Sequence, residues 1–236
     1  EGNSLITDWE TIVPKYELNY IIGNPPFVGY SYQSKEQKED LLKVFIDEKG
    51  RPFKTAGKID YVAAWYYKAS KIMTGTNIKA ALVSTNSITQ GEQVAAIWRP
   101  LKEMFGCHID FAHRTFRWDS EANLKAHVHC VIVGFSCGKQ PAKKWIFEGD
   151  QKQEATNING YLIDAHDVYI DSRKKPLCDV PELYKGSSPV DDGNLLIENE
   201  DYESFIGKDP SCLNFIREFL GAKEFLKKRK RYCIWL

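Results

Sequence analysis

Asn24, Pro25, Pro26 and Phe27 follow directly on the apolar run Leu18 to Ile22 and on Gly23. The asparagine side chain offers one acceptor and two donors, the Pro25 carbonyl is an acceptor free of ladder pairing, and Phe27 presents a flat apolar face. Those groups side by side suit a planar ring that carries an exocyclic amino group. Two consecutive prolines forbid continuation as strand or helix, so the stretch reads as a strand that ends in a stiff loop. A Pro-Pro turn without chemistry is the plainer account of such a sequence. The strand and glycine before it favour a site, because in open α/β sheets ligands bind just beyond the carboxyl ends of strands.

The tetrapeptide resembles the catalytic motif of DNA amino-methyltransferases, which move a methyl group from S-adenosylmethionine to the amino group of adenine. The resemblance implies that Asn24, Pro25, Pro26 and Phe27 form the catalytic motif, that the Asn24 side chain and the Pro25 carbonyl accept hydrogen bonds from the target amine, and that Phe27 stacks on a flipped base. The chemistry is consistent. An aromatic amine is a poor nucleophile because its lone pair is delocalised into the ring. Two acceptors on its hydrogens favour the nitrogen that becomes positive in the transition state. About twenty residues earlier, Gly2-Asn3-Ser4-Leu5 is similar to the Gly-Asp-x-Leu element of the same family. This implies Asn3, Ser4 and Asn24 as cofactor contacts, with Asn3 standing where the family has an acid. An Asx turn explains Gly2-Asn3-Ser4 equally well.

The elements that must hold these residues follow from periodicity. Ser34-x-x-Gln37 is a capping box that opens a helix carrying Leu41, Leu42, Val44 and Phe45. From Lys58 to Thr74, Ile59, Val62, Ala63, Tyr66, Ala69 and Met73 recur at helical spacing, and Asp60 sits in the expected first turn. Lys79 to Ser84 is a buried strand. The stretch Gln90 to Phe105 is a helix with Val94, Ile97, Trp98 and Leu101 on one face, and Pro100 is expected to kink or restart it. His108 to Ala112 and Val128 to Phe135 are further strands. Strand, helix and strand in this order predict a parallel βαβ unit. The family resemblance implies that the loop between the last two strands encloses the target base, which makes Phe116 and Trp118 candidates for that wall. His127 and His129 alternate on one strand and read as structural, with no metal expected.

Beyond Phe135 the stretch Gly138 to Glu154 is polar and lysine-rich, and a domain boundary is placed near Lys152. The later segments, including Gly193-Asn-Leu-Leu196 and Phe219-Leu-Gly-Ala222, resemble large type II restriction-modification enzymes of the MmeI kind. That resemblance implies an α/β fold for residues 1–152, a partial Rossmann-like sheet of a class I S-adenosylmethionine-dependent methyltransferase. Residues 153–236 would begin an α+β target-recognition domain. The one dense basic run, Lys227, Lys228, Arg229, Lys230 and Arg231, is a candidate contact to the backbone of double-stranded DNA. It reads equally as a solvated helix end.

Composition limits these expectations rather than selecting among them. The 236 residues are 43% hydrophobic, enough for a full core. Thirty-two basic and thirty-two acidic residues cancel, so nucleic-acid binding must come from segregated charge. Six cysteines without a Cys-x-x-Cys pair suggest neither a zinc site nor a disulfide framework, and a reduced, cytoplasmic setting is the default. No apolar run is long enough to span a bilayer. The family's Phe-x-Gly-x-Gly cofactor loop and a Pro-Asp...(Asp/Glu)-x-Lys nuclease signature are not found in this sequence. The expectation is therefore an excised piece, inactive alone, with the strand at residues 19–23 on an open sheet edge. That edge would either self-associate or lie under the N-terminal residues. A non-catalytic DNA-recognition module, or a methyltransferase acting on a protein or RNA amide, remain as other readings.

Overall fold

The computed structural model describes residues 2–118, 128–173, 175–181 and 191–235. They fall into two compact units, Glu1–Arg173 and Lys174–Leu236. The first contains β1 (Tyr20–Gly23), α1 (Lys35–Val44), α2 (Ala63–Met73), β2 (Lys79–Thr85), α3 (Gly91–Phe105), β3 (Cys107–Trp118), β4 (Val128–Cys137), β5 (Lys144–Glu148) and β6 (Gln151–Ala155). The strands form one six-stranded sheet in the order β1-β2-β4-β3-β5-β6.

β1 pairs with β2 in parallel, with Ile21 opposite Ala80 and Gly23 opposite Leu82. It occupies the end of the sheet, as expected from the sequence. Its brevity has a local cause: after Gly23 the two prolines have no N–H to continue a ladder. The expected parallel βαβ arrangement is present in β1 and β2 with the helices between them, and it holds in direction for β2, α3 and β3, whose strands are not neighbours. β4 lies between β2 and β3 and is antiparallel to both. A helical crossover is long enough to skip a strand position, which periodicity cannot register.

β2 buries alternate residues, Ala80, Leu82 and Ser84, and α2 packs against β2 and β4. α2 is buried on most of its surface, from Ala63 to Tyr67, because it lies between the sheet and neighbouring helices. Tyr66 is at the centre of this layer. Its ring stacks on Phe135 at 5.0 Å and meets Trp98 edge-on at 5.5 Å, and its hydroxyl shares a 2.8 Å hydrogen bond with Ser84 Oγ. A buried phenol needs such a partner. Burial raises the Tyr66 pKa well above the ordinary tyrosine value.

α1 is opened by the capping box read from the sequence: Gln37 N–H donates to Ser34 Oγ, and Ser34 N–H donates to Gln37 Oε1. α2 begins at Ala63, so Ile59 to Val62 precede the helix instead of forming its first turn. α3 is one helix from Gly91 to Phe105, and Pro100 neither ends nor restarts it. Burial of Pro100, Trp98 and Leu101 against the core holds the helix together where one backbone bond is lost.

The lysine-rich stretch after Phe135 is not a linker. Lys144–Glu148 and Gln151–Ala155 form a hairpin that extends the sheet, with Glu148 opposite Gln151. Its two-residue turn places Gly149 at φ +57°, where a glycine is favoured. Lys152 lies within β6, and the unit continues to Arg173. Ile158 and Leu162 join its core, while Arg99 on α3 pairs with Asp171 at 3.0 Å. Gly134 on β4 sits under the Phe111 ring; a Cβ there would fall 2.0 Å from a ring carbon. That close approach explains a glycine in a central strand.

The second unit holds β7 (Leu196–Glu198), α4 (Tyr202–Lys208), β8 (Ile216–Glu218), α5 (Ala222–Lys227) and β9 (Arg231–Ile234). Its antiparallel sheet has the order β7-β9-β8. Tyr202 stacks on Tyr232 at 4.0 Å, and Ile197 and Ile216 are buried. Leu220, Phe225, Leu226 and Trp235 are exposed. Among the described residues of either unit, no helix is long and apolar enough to cross a membrane.

Candidate active site

The carboxyl end of β1 opens onto a cavity of about 460 Å3. That volume lies within the range of sites that hold a drug-sized molecule. Asn24, Pro25 and Pro26 form part of its wall, together with the side chains of the N-terminal segment and of Trp65. Asn24 is exposed, Pro25 buried and Pro26 exposed. Among the described residues, no group hydrogen-bonds the Asn24 side-chain amide, so its acceptor and both donors are available.

Three tethers hold the N-terminal part of the wall. Lys68 on α2 donates from Nζ to the carbonyls of Ser4 at 2.9 Å and Leu5 at 2.7 Å, and also to that of Thr7. Trp65 Nε1 donates to Ser4 Oγ at 3.2 Å, and Trp9 Nε1 donates to Ser4 O at 2.7 Å. The Lys68 ammonium sits over the Trp9 ring, 4.8 Å from its centroid. Partial burial lowers the Lys68 pKa, opposed by the charge of Asp8. The N-terminal segment is therefore fixed to α2, and Ser4, Trp9 and Trp65 face the same cavity as the tetrapeptide.

The structure divides the residues expected to act. Asn24, Pro25, Pro26 and Ser4 share the cavity wall, whereas Asn3, Phe27, Phe116 and Trp118 are not part of it. The Asn3 side chain has other work: Oδ1 accepts from Leu5 N–H at 2.9 Å, and Nδ2 donates to Asp40 Oδ2 at 2.8 Å. The first of these bonds is the Asx turn. Phe27 is half-buried beside the cavity and is not packed against the core. Phe116 and Trp118 lie on β3, not in a loop, opposite Cys130 and Val128 of β4. Residues 119–127, with His127, lie outside the described residues, and His129 is exposed on β4.

In the second unit Lys227, Lys228, Arg229 and Lys230 are exposed. Arg231 differs. It pairs with Glu224 at 2.8 Å and Glu198 at 3.4 Å, and its guanidinium lies 4.9 Å from the Phe219 ring centroid. It ties β9 to β7 and α5. Sequence reasoning missed Trp65 and Trp9 as cavity walls. Trp65 is adjacent to Tyr66 in a helix read only for its sheet-facing stripe, and Trp9 precedes any periodic element.

Comparison with known proteins identifies the family. Residues 1–148 match the family model described as MmeI, DNA-methyltransferase domain, and residues 164–236 match MmeI, target recognition domain. A protein of Bacillus subtilis (strain 168) described as DNA methyltransferase A is 39% identical over 237 residues, covering 100% of this chain and 26% of the relative. The solved structure of the Type IIL restriction-modification enzyme MmeI in complex with DNA superimposes with a TM-score of 0.93 at 44% identity, covering 100% of this chain and 32% of that one. The chain thus spans about a third or less of the relatives it matches. It belongs to the MmeI family, its first unit carrying the family's DNA-methyltransferase sequence and its later residues the target recognition sequence.

Proposed function

We propose that the chain supplies the methyl-accepting half of a DNA adenine methyltransferase of a restriction-modification system, joined to the start of its target-recognition domain. The reading rests chiefly on Asn24 and Pro25, which stand unengaged at the end of a parallel edge strand on the wall of a sizeable cavity. The Asn24 carbonyl and the Pro25 carbonyl accept hydrogen bonds from the exocyclic amine of adenine and favour the nitrogen as it becomes positive. Phe27, half-buried at the cavity's border, stacks on the extruded base. Two prolines hold this arrangement with little conformational freedom to lose, so the groups are oriented before the substrate arrives.

S-adenosylmethionine, which supplies an electrophilic methyl group, fits the residues present. Trp65 and Trp9 offer flat apolar surface, and Ser4 and Asn24 offer polar contacts beside it. The double-stranded DNA partner is supported by the recognition-domain match and by the exposed cations Lys227 to Lys230. The same match favours DNA over a protein or RNA amide as substrate. The outer edge of β1 has no neighbouring strand among the described residues, and Tyr20 and Ile22 are exposed there, which supports self-association of the 236-residue chain when isolated.

The test is to incubate the full-length protein with DNA and S-adenosylmethionine carrying a labelled methyl group, then to digest and identify the product. Label on the N6 position of adenine at a defined sequence is the expected result. Label on cytosine, on protein or on RNA, with none on adenine, contradicts the proposal.

A further inference from the structure

Asp60 is a buried carboxylate, 5% exposed, that the chemistry above does not use. No ion pair is formed with it among the described residues. A buried carboxylate kept without a cation is costly unless its oxygens are occupied by donors. Both are. Oδ1 accepts from the Tyr30 backbone N–H at 3.0 Å, and Oδ2 accepts from the Ser87 hydroxyl. The Asp60 N–H in turn donates to Gln93 Oε1 on α3 at 3.0 Å.

These bonds join the ends of two adjacent strands. Tyr30 lies three residues after Phe27, in the loop that leaves β1, and Ser87 lies two residues after β2. Ser87 Oγ also shares a 2.8 Å hydrogen bond with Thr85 Oγ, the last residue of β2. The neighbours of Asp60 strengthen the clamp: Tyr61 N–H donates to Val28 O at 3.0 Å, and Gln33 Nε2 donates to Ile59 O at 2.9 Å. Asn24 to Phe27 is consequently held at both ends, by the ladder of β1 at Gly23 and by the Asp60 clamp from Val28 onward. Four residues, two of them proline, then have almost no freedom to vary.

We propose that Asp60 is a positioning residue for methyl transfer, which fixes Asn24 and Phe27 relative to the cavity by tying the β1 exit loop to the end of β2. The inference rests on the function proposed above. Misplacement of an acceptor by about an ångström costs up to about a hundredfold in rate, while it leaves binding of the remoter parts of substrate and cofactor largely intact.

The experiment uses the full-length enzyme on DNA whose methylated adenine has been mapped, and compares Asp60→Ala, Asp60→Asn and Ser87→Ala. Single-turnover rate, cofactor affinity, thermal midpoint and the fluorescence of 2-aminopurine at the target position are measured for each. Asp60→Ala is expected to slow transfer about ten- to a hundredfold and to weaken the fluorescence rise, with cofactor affinity within about twofold. Asp60→Asn is expected to recover to within about threefold of wild type, because its Oδ1 can accept from Tyr30 and its Nδ2 can donate to Ser87 Oγ, whose hydroxyl rotates freely. Ser87→Ala, which keeps the Tyr30 bond, is expected to slow transfer about threefold or more without unfolding. It decides the matter should Asp60→Ala not fold. Wild-type rates in both Ser87→Ala and any folded Asp60→Ala overturn the proposal, as does an Asn variant no faster than the Ala variant. A wild-type enzyme that methylates no DNA adenine removes the parent reading and this one with it, whereas an active wild type with an indifferent Asp60 removes this one alone.

Discussion

Asn3, in the N-terminal segment, and Asn24, at the end of β1, carry the same side chain, and the structure treats them differently. Both amide ends of Asn3 are engaged, by Leu5 N–H and by Asp40, so that residue holds a turn. The amide of Asn24 has no partner within the protein among the described residues and stands on the cavity wall. A polar group whose bonds are complete stabilises the fold; one held in place by its backbone with its bonds unmade is ready for a ligand. The basic run shows the same division. Arg231 is committed to Glu224 and Glu198, while Lys227 to Lys230 are exposed.

Substitutions can break or sharpen that contrast. The largest effect is expected at Asn24: Asn24→Ala in the full-length enzyme should cost about 3 kcal/mol in the chemical step, roughly a hundredfold in single-turnover rate, with an unchanged thermal midpoint. A near wild-type rate would take the residue out of the chemistry. Phe27→Ala comes next, with about 2 kcal/mol lost from the flipped-base state and the loss recovered by Phe27→Trp. Its measure is the fluorescence rise of 2-aminopurine at the target position; equal rises for the Ala variant and wild type would place the ring elsewhere.

Asn3→Ala should do the reverse of Asn24→Ala. About 1 kcal/mol of stability is expected to be lost with the Asx turn, read by denaturant midpoint, while the transfer rate holds. A slowed transfer at full stability would support Asn3 as a cofactor contact. The smallest effect belongs to Lys228→Ala. It should lower the slope of log affinity against log salt by about one and leave stability alone, whereas Arg231→Ala should destabilise the second unit. Equal salt slopes for wild type and the Lys228 variant would separate the run from DNA.

Elements set by local chemistry were legible before the fold. The capping box at Ser34 and Gln37 and the strand-ending prolines need only neighbours in sequence, and both appear as read. The place of β1 at the sheet edge followed from the family pattern and agrees with the strand order. What was missed was either masked by residue type or depended on partners distant in sequence. The hairpin of β5 and β6 was hidden by lysines, although Gly149-Asp150, directly after the alternating Trp145 and Phe147, is a two-residue turn signal. Lys144, which made the stretch look solvated, is 2% exposed. Phe116 and Trp118 lengthen β3 because β4 pairs along it, which an isolated strand pattern cannot reveal. At the candidate site, the place of Asn24 and Pro25 at the end of β1 could be read from residue type, but the engagement of Asn3 required Asp40, a contact across 37 residues.

The most direct test of the account is the structure of the full-length enzyme with a non-reactive cofactor analogue and DNA containing the target adenine. The account predicts the adenine amino nitrogen within about 3 Å of both Asn24 Oδ1 and the Pro25 carbonyl oxygen, in line with the cofactor's methyl position. An adenine amine bound away from those two oxygens, or an Asn24 side chain turned into a bond with the protein, would contradict it.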